Sequence, residues 1–198
     1  TFRLLQSIIR LKNVIPLHGN HENHLMNFAY SLDDDEYKPK GGFKQTHYDL
    51  TKHNMSERKA VTEKEARDFV RSLQQLAYFK FNDNKFLVTH AGLGNFNRDN
   101  LSLINTQDMI FGAGGYETNI DEIYSNHQEK LDEKDRVYQI HGHRNMFGYP
   151  THAKKYSYNL EGGVEHGGNL RTVFIDGNDI HPYSFKNNNF NPVKKEQI

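Results

Sequence analysis

Three histidine-bearing loops, each closing a short apolar run, constrain this chain more than any other feature. Val14-Ile15-Pro16-Leu17 leads into His18-Gly19-Asn20-His21-Glu22, Lys85 to Thr89 into His90-Ala91-Gly92, and Val137 to Ile140 into His141-Gly142-His143-Arg144-Asn145. The short apolar runs read as strands, and they alternate with stretches of helical periodicity. Functional loops at strand ends then imply layered α/β packing. An amide oxygen and imidazoles brought together from separate strand ends form a ligand set suited to Mn²⁺, Fe or Zn, and two such ions can clamp a phosphate. The residues therefore point to metal-assisted phosphoester hydrolysis.

The rest of the chain fits around these loops. Phe2, Leu5, Ile8, Ile9 and Leu11 lie at helical spacing before the first strand, and Leu25, Met26 and Ala29 mark a second helix over 22–32. Asp33-Asp34-Asp35-Glu36 opens a polar stretch to about residue 57 without periodicity, read as an exposed insertion whose carboxylates are solvated. Thr62-Glu63-Lys64-Glu65 has the form of a capping box, and Ala66, Phe69, Val70, Leu73 and Leu76 continue it as one apolar stripe. Tyr78 to Phe81 and Lys85 to Thr89 flank a turn at Asn82-Asp83-Asn84. Residues 92–134 read as a variable loop system with weak helical patches. Residues 156–160 and 170–175 read as closing strands, and 187–198 as a polar tail.

The composition excludes several function classes. The 25 basic and 25 acidic residues of the 198 cancel, so no global field draws in nucleic acid or an anionic membrane, and no DNA-binding motif is present. The absence of cysteine rules out disulfides and thiolate metal sites and is compatible with a reducing cytoplasm, the expected compartment. No apolar run approaches the ~20 residues of a membrane span. His47, His53, His127 and His152 lie in polar stretches without ligand spacing and read as surface residues.

The blocks G-N-H-E (19–22), T-H-A-G (89–92) and G-H (142–143), in this order, resemble the calcineurin-like metallophosphoesterase superfamily. They look most like its phosphoprotein-phosphatase branch, which includes bacteriophage phosphatases. Asn159-Leu160-Glu161-Gly162-Gly163 followed by Gly167-Gly168-Asn169-Leu170 is similar to the family's N-x-D-x-G and G-G-x-L. The fold this implies is a two-sheet α/β sandwich flanked by helices, with the metals above the strand ends. The family's earlier blocks, D-x-H and G-D-x-x-D-R-G, do not occur upstream of Asn20. The expectation is a single domain over 1–198 lacking its N-terminal part and starting just after the second block.

The resemblance implies roles. Asn20, His90 and His143 would hold one of two divalent ions, Mn²⁺ first and Fe or Zn as alternatives. His21 would donate a proton to the leaving-group oxygen. Read alone, an asparagine after glycine is a turn residue and a strand-end histidine a polar terminus. Two departures bear on substrate binding: His18 stands where relatives often carry arginine, and Met109 to Ala113 stands where similar phage phosphatases have W-x-R. Arg144 could supply a replacement fork for phosphate or form a surface ion pair. Asn145, where some members place another metal-binding histidine, is not assigned.

The leading expectation is thus a binuclear-metal phosphomonoesterase. The ending 162–171 is similar to phosphatase modules of phage polynucleotide kinase-phosphatases, which suggests a nucleic-acid end as substrate, and the core motifs equally fit phosphoserine and phosphothreonine phosphatases. Hydrolysis of dinucleoside polyphosphates is a further enzymatic alternative. A non-catalytic fragment or binding module is the alternative from a different class, because the first half of the metal-site motifs is absent.

Overall fold

The computed structural model describes residues 7–8, 10–22, 25, 44 and 63–189. Most of the expected helix over 22–32, of the polar insertion and of the terminal tail lies outside these residues. The chain divides into two compact units, Thr1–Gln74 and Gln75–Ile198.

In the first unit, helix α1 spans Glu63–Ser72 and buries Ala66 and Val70, as their spacing requires. It stops where the Ser72 hydroxyl donates back to Phe69 O at 2.6 Å, a local bond that competes with continuation of the helix. Leu76, expected at the end of the same stripe, instead opens a strand of the second unit. The run 14–17 differs from expectation too. Only Leu17 pairs, in a single parallel bridge to Gln74, and Val14 and Ile15 are exposed. Pro16 has no N–H to give a ladder, so the pairing is confined to Gln74 N–H on Pro16 O at 2.9 Å and His18 N–H on Gln74 O at 2.8 Å.

The second unit holds two sheets. Strands β1 (Leu76–Phe81), β2 (Asn84–Thr89), β3 (Tyr138–His141), β4 (His152–Lys154) and β5 (Ser157–Asn159) form one sheet in the order β1-β2-β3-β5-β4. β2, β3 and β5 are parallel neighbours, and β1 and β4 are antiparallel edges. β6 (Asn169–Asp176) and β7 (Asp179–Lys186) form a separate antiparallel hairpin. The β1–β2 turn is tighter than expected: Asn84 pairs with Phe81, which leaves two turn residues, and Asn82 takes φ 50° as such turns require.

Strand alternation assigns the two faces of the larger sheet. Phe86, Ile140 and Tyr158 point to one face, where Val173, Ile175 and Ile180 of the hairpin pack on them. Full burial of Phe86 contributes about 1.5–3 kcal/mol by area. Leu87 points to the other face and joins Leu93, Met109 and Val137. That second face also receives α3 (Ile120–Glu129), which follows the short helix α2 (Thr106–Phe111). Both helices lie in the stretch expected to be mostly irregular. The buried face of α3 is Ile120, Asp121, Tyr124, Ser125 and Gln128, too polar to give an apolar period. Tyr124 Oη donates to Val137 O at 3.2 Å and Gln128 Oε1 accepts Val137 N–H at 2.9 Å, so this helix satisfies both backbone groups just before β3.

Candidate metal centre

β2 and β3 run parallel and side by side, so the residues that follow them emerge on one edge of the sheet. His90 follows β2 directly and His143 follows β3 by two residues. Their rings meet there, with centroids 4.9 Å apart and planes at 41°, and the edge of Phe111 approaches His143 at 6.3 Å. The loops are tied through the backbone: Gly142 N–H donates to His90 O at 2.8 Å. His143 takes φ 64°, in the left-handed region where a side chain costs roughly 1–2 kcal/mol. Such a conformation persists only when neighbouring contacts over-determine it, and it recurs at functional sites.

Beneath this pair lies a buried polar network. Gln139 and His141 of β3 face Ser157 and Asn159 of β5 across the parallel register, and all four are at most 1% exposed. Gln139 accepts Leu93 N–H at 3.0 Å and donates to Ser157 Oγ at 2.9 Å. Ser157 passes the chain on to Asp121 of α3, which also accepts from His141 Nε2 at 2.8 Å and Asn159 Nδ2 at 3.0 Å. Burial alone would push the Asp121 carboxyl up, but the hydrogen bonds and charge of His141, with donors Ser157 and Asn159, hold it below the ordinary carboxylate value. His141 Nδ1 lies 3.0 Å from Gly142 O. The His141 ring thus bridges the Asp121 carboxylate and the Gly142 carbonyl.

None of these buried roles was drawn from the sequence. Gln139 and His141 alternate with Tyr138 and Ile140, a pattern that normally marks a solvated strand face. The signal that could have found them is the match of four polar residues at alternate positions of two strands with one acidic residue near a helix start.

The remaining sequence-derived residues are placed as follows. In the first unit His18 is buried, Asn20 half-buried and His21 exposed. Glu22 Oε2 accepts Gly19 N–H at 3.0 Å, closing the G-N-H-E loop on itself. In the second unit Arg144 is 4% exposed, and its guanidinium is directed at backbone carbonyls, with Nη1 on Ala113 O at 3.0 Å and Nη2 on Gly115 O and Thr118 O. It also lies 5.5 Å over the Tyr116 ring. Arg144 is therefore no surface ion pair. Asn145 hydrogen-bonds to backbone groups of Tyr149 and Glu161. In the closing motif, a Cβ on Gly168 would stand 1.9 Å from Gly162 O, so this backbone approach admits glycine alone.

A family model for calcineurin-like phosphoesterases matches residues 1–180. The chain belongs to that family. Calcineurin-like phosphoesterases are metal-dependent hydrolases of phosphoric esters, and the fold described above, two sheets with flanking helices, is consistent with membership. Among solved structures, a hypothetical protein from Pyrococcus horikoshii OT3 is similar at 12% identity and a TM-score of 0.45, over 92% of this chain and 67% of that one. A search of curated proteins finds no significant match.

The histidine pair can be tested against the ion this calcineurin-like phosphoesterase would use. A ring nitrogen lies about 1.1 Å from its ring centre and about 2.0–2.1 Å from a bound ion, so two imidazoles sharing an ion have centres about 4.5–5.2 Å apart. The 4.9 Å separation of His90 and His143 fits. Among the described residues no group of three or more His, Asp, Glu or Cys side chains converges. A pair of imidazoles at this separation would fill two positions of a coordination shell, and an ion there would need further donors.

Proposed function

We propose that this chain carries one metal's ligands and the proton donor of a binuclear metal-dependent phosphomonoesterase. The ligands are Asn20, His90 and His143, and the donor is His21. The observation that carries this reading is the His90–His143 pair at two adjacent parallel strand ends, with His143 in a left-handed conformation. A divalent ion held there, Mn²⁺ before Fe or Zn, supplies Lewis acidity toward a phosphoryl oxygen and an acidified water. A second ion would need carboxylates of the kind found in the family's D-x-H and G-D-x-x-D blocks.

The protein's own groups do the rest. His90 and His143 offer ring lone pairs, and Asn20 offers its amide oxygen while its N–H can donate to a phosphate oxygen. His21, exposed and next to Asn20, protonates the leaving-group oxygen. His18 adds a phosphate contact through its ring. Arg144, with both Nη atoms on carbonyls of the 113–118 loop, fits better as the residue that holds this loop beside His143 than as a phosphate fork. The substrate class is a phosphoserine or phosphothreonine protein or the phosphorylated end of a polynucleotide, met in the cytoplasm.

Phosphate release in Mn²⁺ tests the reading on a phosphoserine peptide, a 3′-phosphorylated oligonucleotide and a dinucleoside tetraphosphate. In a protein extended by the D-x-H and G-D-x-x-D blocks, turnover of one of the first two, abolished by His90→Ala, is expected. This chain alone should be at least ~100-fold slower, because half of a binuclear site cannot both activate water and clamp the phosphate. His21→Asn should lower kcat on alkyl phosphates by roughly 10²–10⁴-fold and on p-nitrophenyl phosphate by less, since a good leaving group needs little protonation. Metal uptake without phosphate release from any substrate would instead mark a binding module.

A further inference from the structure

One buried carboxylate underlies both histidine loops. Asp121, in the first turn of α3, is 4% exposed. Its Oδ2 accepts from Asn159 Nδ2 at 3.0 Å, and the same Nδ2 donates to Arg144 O at 2.7 Å, the residue after His143. Its Oδ1 accepts from His141 Nε2 at 2.8 Å, and the other nitrogen of that ring lies 3.0 Å from Gly142 O, the residue before His143. The His141 ring also fills the space beside Gly92, two residues after His90, where a Cβ would stand 2.7 Å from Cγ. Gly142 N–H closes the circuit on His90 O at 2.8 Å.

We infer that Asp121 is a positioning residue of this centre: through His141 and Asn159 it fixes the backbone on both sides of His143 and sets its ring against His90. The inference rests on the proposed reading of these two rings as ligands of one ion. The physical need is plain in the backbone. His143 at φ 64° relaxes toward an ordinary conformation unless residues 142 and 144 are both anchored, and either relaxation would swing its ring away from His90. Asp121 anchors both through two side chains from two strands, and a carboxylate is the one group of this size that can accept from three donors at once. An amide at the same place would turn an N–H toward one of these donors.

The experiment compares the full chain with Asp121→Asn and His141→Gln. His141→Gln keeps a donor toward Asp121 but removes the ring beside Gly92 and the contact to Gly142 O. Co²⁺ titration is read by its d–d absorption, and amide exchange at Gly142 is read without metal. Both variants should bind Co²⁺ about 10–100-fold more weakly with an altered absorption envelope, the usual scale for losing a ligand's orienting partner. Gly142 N–H should exchange at least about tenfold faster while amides of β6 and β7 stay as in the wild type. A merely structural Asp121 would lower Tm yet leave the Co²⁺ spectrum and affinity of the folded protein unchanged. That result, with unchanged Gly142 exchange, overturns the inference. Should Asp121→Asn fail to fold, His141→Gln decides by the same two readings. A wild-type chain that takes up no Co²⁺ contradicts the ligand reading instead, and the exchange comparison alone then decides whether Asp121 pins the loops.

Discussion

His143 holds a conformation that glycine would adopt without strain. A histidine kept there trades stability for the placement of its ring, and the trade can be measured. His143→Gly should be more stable than His143→Ala by about 1 kcal/mol, because only the alanine keeps a Cβ in the left-handed region. Both variants should lose divalent metal. Urea unfolding of the two checks the order, and an alanine variant as stable as the glycine one would show that the backbone relaxes at no cost. The spacing of G-H to the strand was legible in the sequence. The φ of His143 was not, since it depends on the contacts of residues 142 and 144 across the sheet.

Among the elements, α3 shows where sequence patterning ran out. β1, β2 and β3 were legible because their apolar residues recur at strand spacing and a turn sequence separates the first two. β7 was not, since Pro182 interrupts the run and the strand is a sheet edge, where proline is tolerated. α3 escaped because its buried positions are occupied by Asp121, Ser125 and Gln128. Its start is nonetheless specified locally. Asn119 Oδ1 accepts Glu122 N–H at 3.2 Å, and Asn119 Nδ2 donates to Glu122 Oε2 at 2.8 Å, a reciprocal pair at the N-cap and third positions. Asp121 therefore sits where the helix dipole favours a carboxylate. Asn119→Ala should cost about 1 kcal/mol in a denaturant titration. No measurable loss would mean that the cap adds nothing to what packing already fixes.

For the whole molecule, the buried network predicts an acid-sensitive fold. The folded-state pKa of Asp121 lies below its ordinary value of 3.8, so on acidification the unfolded chain takes up this proton first. Its contribution to stability is complete above about 3.8 and is lost as pH falls through the lower folded value. Tm measured against pH should thus fall more steeply below about pH 4 in the wild type than in Asp121→Asn. Parallel acid limbs would contradict the assignment. The site itself was half legible: motif order singled out His90 and His143, which the structure brings together, while the carboxylate and second histidine beneath them lay in residues that pattern reading sends to the surface. The central claim is that His90, His143 and Asn20 bind one divalent ion. Titration calorimetry with Mn²⁺ on the wild type, His90→Ala, His143→Ala and Asn20→Ala tests it most directly. Saturable binding that weakens in every variant, and as pH drops because imidazoles must be neutral to coordinate, is the predicted result. Equal affinity in the wild type and His90→Ala would contradict it.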